Sequence, residues 1–146
     1  MSDGQQVASR LFFPAMGVAV RALRARVDRA LQAHGLRLGQ FQILQMLWKE
    51  DGLTPRELAE RLAVEMPTVT RTVQRMVRDG LVRREANPID ARSVRILLTT
   101  HGLEVRDVVS GVLEDETTNA LDGFSPPECD AFVDFLDRVA RNARRE

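Results

Sequence analysis

The amino-acid sequence predicts a mainly α fold with one small β-hairpin, in a single domain spanning 1–146. Three observations carry that prediction. Apolar residues recur at spacings of three and four over most of the chain. Stop signals at Gly35, Asp51-Gly52, Gly80 and Asp122-Gly123 cut this pattern into helix-sized pieces. Only after Gly80 does it give way to two short β-prone runs flanking a turn-rich segment.

The first element covers roughly 9–34, where Phe12, Phe13, Met16, Val20, Leu23, Val27 and Leu31 form an apolar stripe with Arg21, Arg24, Arg26 and Arg29 between them. Gly35 ends it. Phe41, Leu44, Leu47 and Trp48 then define a shorter helix over Leu38–Lys49. In Thr54-Pro55-Arg56-Glu57 the threonine caps the first free amides, proline suits the first helical position and the glutamate closes a capping box. The helix so started buries Leu58, Ala59 and Leu62. It ends near Ala63-Val64, because Met66 precedes Pro67 and is pushed out of helical geometry. Pro67 opens a fourth helix running to Asp79, with Val69, Val73, Met76 and Val77 as its inner side and Gly80 as its stop.

Residues 81–85 and 94–98 read as the strands of a hairpin whose Val94, Ile96 and Leu98 pack inward, around the charged tip Asn87–Ser93. A helical pattern returns after Thr99-Thr100 through Leu103, Val105, Val108, Val109, Val112 and Leu113, and is expected to fray in Glu114-Asp115-Glu116. Ser125-Pro126-Pro127-Glu128 is a second capping box, and it starts a last helix with Phe132, Phe135, Leu136 and Val139 on one face.

Composition narrows the function. With 146 residues, 44% hydrophobic and 29% charged, the chain has the balance of one globular unit rather than of a disordered or fibrous polymer. Leu11–Val20, the longest apolar stretch, is interrupted by Pro14 and Gly17 and falls short of the ~20 residues of a membrane span, so no membrane partner is expected. Asp3 and the Arg-rich pattern that follows argue against a signal peptide. Cys129 is the single cysteine and has no disulfide partner within the chain, which fits a cytoplasmic location. It falls in the first turn of the last helix, where an inert, partly buried thiol is the better reading than a reactive one. Net charge is zero, but residues 1–50 carry 7 basic and 3 acidic side chains, 51–100 carry 9 and 7, and 101–146 carry 5 and 11. Such asymmetry lets a polyanion dock on one region while the acidic third points elsewhere.

Nothing in the sequence spells catalysis. His34 and His101 have no cysteine or carboxylate at ligand spacing, and there is no phosphate loop, nucleophile elbow or Cys/His pair. The expectation is therefore no enzyme, no metal and no cofactor.

A short helix, a tight turn, a second helix and then a hairpin make a winged helix-turn-helix over 38–100. A helix of this kind fits the major groove of B-DNA, and its partner props it there. Opposite its Val/Met stripe, the fourth helix carries Thr68, Thr70, Arg71, Gln74, Arg75 and Arg78. Arginine pairs bidentately with guanine, glutamine with adenine, and threonine offers a methyl or hydroxyl. Taken alone, three arginines at helical spacing are a solvated face, but this one meets no acidic residue before Asp79. Arg56 fits a phosphate contact or an ordinary surface charge. Arg92 at the hairpin tip suits a narrow, electronegative minor groove, and Asp90 is expected to hold the tip in shape by accepting from Arg92 or a nearby amide.

Residues 38–103 resemble the multiple-antibiotic-resistance regulator (MarR) family. The resemblance rests on "LGQFQILQMLW", "TVTRTVQRMVRDGLV" and above all the Asp90-x-Arg92 wing followed by Leu98-Thr99-x-x-Gly102. It implies a homodimeric, sequence-specific repressor of nearby genes that reads a palindromic double-stranded DNA operator and is released by a small-molecule effector. The helices in 9–37 and 101–146 would form the dimer interface. Thr54, Arg56, Thr68, Thr70, Arg71, Gln74, Arg75, Asp90 and Arg92 are the candidate DNA-binding residues. Met16, Arg21, His34 and Trp48 are open to an effector, to core packing or to surface roles, and assign no pocket. Two rivals remain at this point: a winged-helix protein-interaction module whose arginines meet an acidic partner, and a sensor or enzyme in which DNA binding is residual.

Overall fold

The structure, a computed structural model, describes residues 3–145. Its elements in chain order are α1 (Asp3–Gln32), α2 (Leu38–Lys49), α3 (Pro55–Leu62), α4 (Met66–Arg78), β1 (Val82–Ala86), β2 (Val94–Leu98), α5 (Thr100–Ala120) and α6 (Pro126–Ala143). They fall into two compact units, one running to Leu113 and the other starting at Glu114.

The first unit is built on α2, whose Phe41, Ile43, Leu44 and Leu47 are buried against Leu31 of α1, Leu58 of α3, Val69, Val73 and Met76 of α4, and Ile96 and Leu98 of the hairpin. Val105, Val109 and Val112 of α5 complete this core at the helical spacing of four and three. Removing such side chains from water supplies the driving force for the module. Thr54 starts α3 as the sequence predicts: its Oγ1 accepts from the Glu57 amide (3.2 Å), while the Glu57 carboxylate accepts from the Thr54 amide (2.7 Å). The Thr54 amide, and after it the Thr54 hydroxyl (3.1 Å), donate to the Glu57 carboxylate and hold that carboxyl below its usual range. The helix closes on Ala63, which is left-handed (φ 52°) and donates to the Ala59 and Glu60 carbonyls, so three residues suffice to turn the chain into α4.

Several details depart from the sequence reading, each for a local reason. Met66 is the first residue of α4 and Pro67 the second, with Glu65 as the extended N-cap. The first-turn amides of a helix have no intrahelical acceptor, so proline is tolerated there, and the restriction on the residue before it gives way to the helix start. Val77 is exposed rather than buried: at about 100° per residue it lies about 80° round the helix from Val69, at the margin of the stripe. Val94 is exposed because it opens β2 at the loop end of the hairpin. α5 does not fray at Glu114-Asp115-Glu116 but continues to Ala120, since no breaker intervenes before Asp122-Gly123 and glutamate favours helix. α1 begins before residue 9 and contains Pro14. Of its stripe only Leu31 is buried, and Met16 and Val27 partly so, whereas Phe12, Phe13, Val20 and Leu23 are exposed.

The hairpin is antiparallel with Val82 opposite Leu98, Arg84 opposite Ile96 and Ala86 opposite Val94. A third backbone segment braces it. The Ile96 amide donates to the Leu53 carbonyl (2.8 Å), and one oxygen of Asp51 accepts from both the Gly52 and Leu98 amides (2.9 Å each). Behind the hairpin, Thr99 accepts from the Gly102 amide (3.0 Å) and donates to the Gly80 carbonyl (2.5 Å). Gly102 lies so close that a Cβ there would fall on the Leu81 carbonyl oxygen, which explains the glycine of the Leu98-Thr99-x-x-Gly102 motif. The Gly102 carbonyl in turn accepts from the Trp48 indole (2.8 Å), tying α5 to α2.

In the second unit Ser125 and Glu128 form the predicted capping box of α6, the carboxylate accepting from both the amide and the hydroxyl of Ser125 (2.8 Å each). No residue of α6 is buried, and Phe132, Val133, Phe135, Leu136 and Val139 stand exposed along it. Cys129 is half-buried in its first turn.

Candidate nucleic-acid interface

α4 presents Thr68, Thr70, Arg71, Gln74, Arg75 and Arg78 to solvent while Val69, Val73 and Met76 anchor its other side. Amphipathic spacing alone produces this division, because the buried positions recur every three or four residues and leave the arginines outward. Among the described residues no carboxylate lies within ion-pair range of Arg71, Arg75 or Arg78. Asp79, the acidic residue nearest them in sequence, accepts instead from the Gln40 amide group (2.7 Å). The positive charge of this face is therefore unneutralised. Thr68, Arg71, Thr72 and Arg75 line a shallow depression of about 330 Å³ along it.

The wing tip is shaped by its own side chains. Asn87 donates to the Ser93 hydroxyl (2.8 Å) and accepts from the Ile89 amide (3.1 Å), and the Asp90 carboxylate accepts from the Arg92 backbone amide (2.9 Å). Asp90 is thus spent on the loop, and the guanidinium of Arg92 stays free of ion pairs among the described residues. A groove of about 450 Å³ between the start of α3 and the wing brings Thr54, Arg56, Asp90 and Arg92 together, with Met66 and Val94 as apolar lining. Within it Thr54 is committed to its cap, and Arg56 pairs with Glu60 one turn on (3.2 Å) while remaining 84% exposed. All nine sequence-predicted residues accordingly lie at the start of α3 and its N-cap, on α4 and in the wing of one module, in two groups, one along α4 and one in the wing groove.

Sequence reasoning missed the polar residues that hold this arrangement. Gln40 is the one buried polar side chain among the described residues, at 1% exposure, and a signal existed: it sits four residues before Leu44 on the apolar stripe of α2. Asp28 gave no such signal. Its carboxylate accepts from the Leu38 amide (2.9 Å) across ten residues, which lowers its pKa, and only tertiary structure brings the two together.

A helix-turn-helix whose outward α4 arginines pair with no carboxylate among the described residues, followed by a braced hairpin whose Arg92 pairs with none either, defines a winged-helix transcriptional regulator. The chain belongs to the MarR family, whose family model matches residues 36–94. It is 31% identical over 134 residues to the HTH-type transcriptional regulator TtmR of Methylorubrum extorquens, an alignment covering 92% of this chain and 67% of that one. To the HTH-type transcriptional repressor YetL of Bacillus subtilis it is 34% identical over 113 residues, covering 75% and 67%. The fold matches a MarR transcriptional regulator from Methanosarcina mazei with a TM-score of 0.85 at 22% identity, over 92% of this chain and 96% of that one. Apo wild-type MarR from E. coli gives 0.79 at 24%, over 86% and 93%. Family and relatives alike are transcription regulators rather than enzymes.

Proposed function

We propose that this regulator acts in the cytoplasm as a homodimer that binds a palindromic double-stranded operator, represses nearby genes and is released by a small-molecule effector. One observation carries the DNA-reading part: among the described residues, Arg71 and Arg75 stand beside Gln74 on the outward face of α4 without an ion pair, and the wing holds the Arg92 guanidinium likewise without one. In this reading Thr68, Thr70, Arg71, Gln74 and Arg75 contact base edges and phosphates in the major groove. Arg92 enters the flanking minor groove, Arg56 meets phosphate, and Thr54 and Asp90 hold the elements that present them.

The dimer is supported by apolar surface. Phe13 is 80% exposed on α1, and Phe132, Val133, Phe135 and Leu136 are exposed on α6; a second copy removes such faces from water. Repression is supported by the likeness to the repressor YetL. Selection from random duplexes followed by mobility-shift titration tests the reading. Enrichment of an inverted repeat at moderate salt is the expected result, and binding without any sequence preference overturns it.

A further inference from the structure

Gln40 occupies a position where polarity is forced on both sides. Its Oε1 accepts from the Arg37 backbone amide (3.0 Å), which can only donate, and its Nε2 donates to the Asp79 carboxylate (2.7 Å), which accepts. One orientation of the side-chain amide satisfies both, and the group is buried, so neither bond is readily exchanged for water. The two partners sit at helix ends. Arg37 is the N-cap of α2, and an arginine has no acceptor with which to cap its own helix. Its amide is taken by Gln40, while the next amide, of Leu38, is taken by Asp28 of α1 (2.9 Å). Asp28 is itself fixed by the Gln32 side chain (2.7 Å) and faces the Arg37 guanidinium at 3.7 Å. Asp79 is the C-cap of α4, where a negative charge opposes the helix dipole, so its place there is poorly explained by helix stability. The Gln40 amide explains it.

We infer that Asp28, Gln40 and Asp79 form a polar strut through the N-terminus of α2 that fixes the far end of α4 relative to α1, making Gln40 and Asp79 positioning residues for DNA readout. The inference rests on the operator-binding reading above. Two α4 helices reading one palindrome must keep a set separation and pitch, and a packed apolar contact alone permits sliding that a directional hydrogen bond does not. The strut therefore acts on discrimination between sequences rather than on attraction to phosphate.

The test exchanges the polarity of the pair in the full-length protein. Gln40→Met keeps the volume and removes both bonds; it is expected to lower affinity for the selected operator about tenfold while leaving affinity for random duplex unchanged. Gln40→Glu, which sets two carboxylates face to face, loses at least as much. Combining it with Asp79→Asn restores a hydrogen bond of reversed direction, and the operator preference returns. Asp79→Ala, at an exposed position, gives the same selective loss should the buried variants fold poorly. Equal losses on operator and random duplex, or no recovery in the exchanged pair, overturn the strut.

A second readout needs no DNA. Spin labels at residues 24 on α1 and 78 on α4, in a Cys129→Ser background diluted with unlabelled chain, report the distance between the two helices. A single narrow distribution is expected in the parent and the exchanged pair, and a broad one in Gln40→Met. Identical distributions in all three overturn the strut. If the parent prefers no duplex sequence, the operator-binding reading falls, and the distance measurement alone decides the strut.

Discussion

Asp90 and Arg92 divide the work of the wing tip between shape and charge. The Asp90 carboxylate is bound to the Arg92 amide, and the guanidinium two residues on has no ion pair among the described residues. Minor-groove potential deepens as the groove narrows, so Arg92→Ala is expected to weaken operator binding more on A·T-rich than on G·C-rich flanks, with dimer and melting temperature unchanged; titration of operators differing only in flanks checks this. On α4 the expectation is a split by function. Arg71→Ala or Arg75→Ala costs about 1–3 kcal/mol on the operator and little on random DNA, whereas Arg56→Ala weakens both and flattens the salt dependence. The Arg56–Glu60 pair is exposed and contributes little to folding, so the loss at Arg56 reads binding and not stability. Gly102→Ala behaves oppositely. Its methyl has no space beside the Leu81 carbonyl, and an overpacked backbone contact of this kind costs about 3 kcal/mol, visible as a lowered urea midpoint.

Helices α2, α3 and α6 were legible because their signals are local: a stripe, a capping box, a glycine or Asp-Gly stop. The places where sequence reading slipped are those where two local rules compete or a distant residue decides. At Met66 the proline rule competed with the helix start; Val77 stands at the margin of its stripe and Val94 at the loop end of its strand; Asp28, Gln40 and Asp51 each also bind a partner 10 to 47 residues away. Left-handed Ala63, between α3 and α4, is another such place. A side chain costs about 1–2 kcal/mol in that conformation, partly offset by the extra freedom glycine gains when unfolded, so Ala63→Gly is expected to raise stability by about 0.5–1 kcal/mol in denaturant unfolding. Helix capping also contributes to the acid sensitivity of the fold. Asp28, Glu57 and Glu128 are held below the usual carboxylate range chiefly by the backbone amides they accept from. A depressed carboxyl contributes stability that is present above its unfolded value and lost as pH falls through its folded value. Stability is thus expected to decline on acidification below the ordinary carboxylate range, and Asp28→Asn to have a shallower acid limb than the parent in melting against pH.

For the whole molecule, zero net charge conceals a basic N-terminal part and an acidic C-terminal third, with 11 acidic and 5 basic side chains in 101–146. In the proposed mode of action this polarity orients the chain toward a polyanion, and association with DNA is expected to slow steeply as salt screens it. The exposed apolar faces of α1 and α6 set the second expectation. Sedimentation at micromolar concentration should give a mass near twice 16.4 kDa, and a monomer there would remove both the dimer and the palindrome.

The bond from the Trp48 indole to the Gly102 carbonyl also gives the protein an optical voice. The chain has one tryptophan and no tyrosine, so its ultraviolet emission arises almost wholly from this one ring, pinned where α2 meets α5 and set at 51° to Phe41 with 6.5 Å between ring centres. Any event that prises those two helices apart frees the indole N–H to water and moves the emission to longer wavelength. An event confined to the wing leaves the spectrum as it was, so the colour of one residue separates motions of the frame from motions of the fingertip.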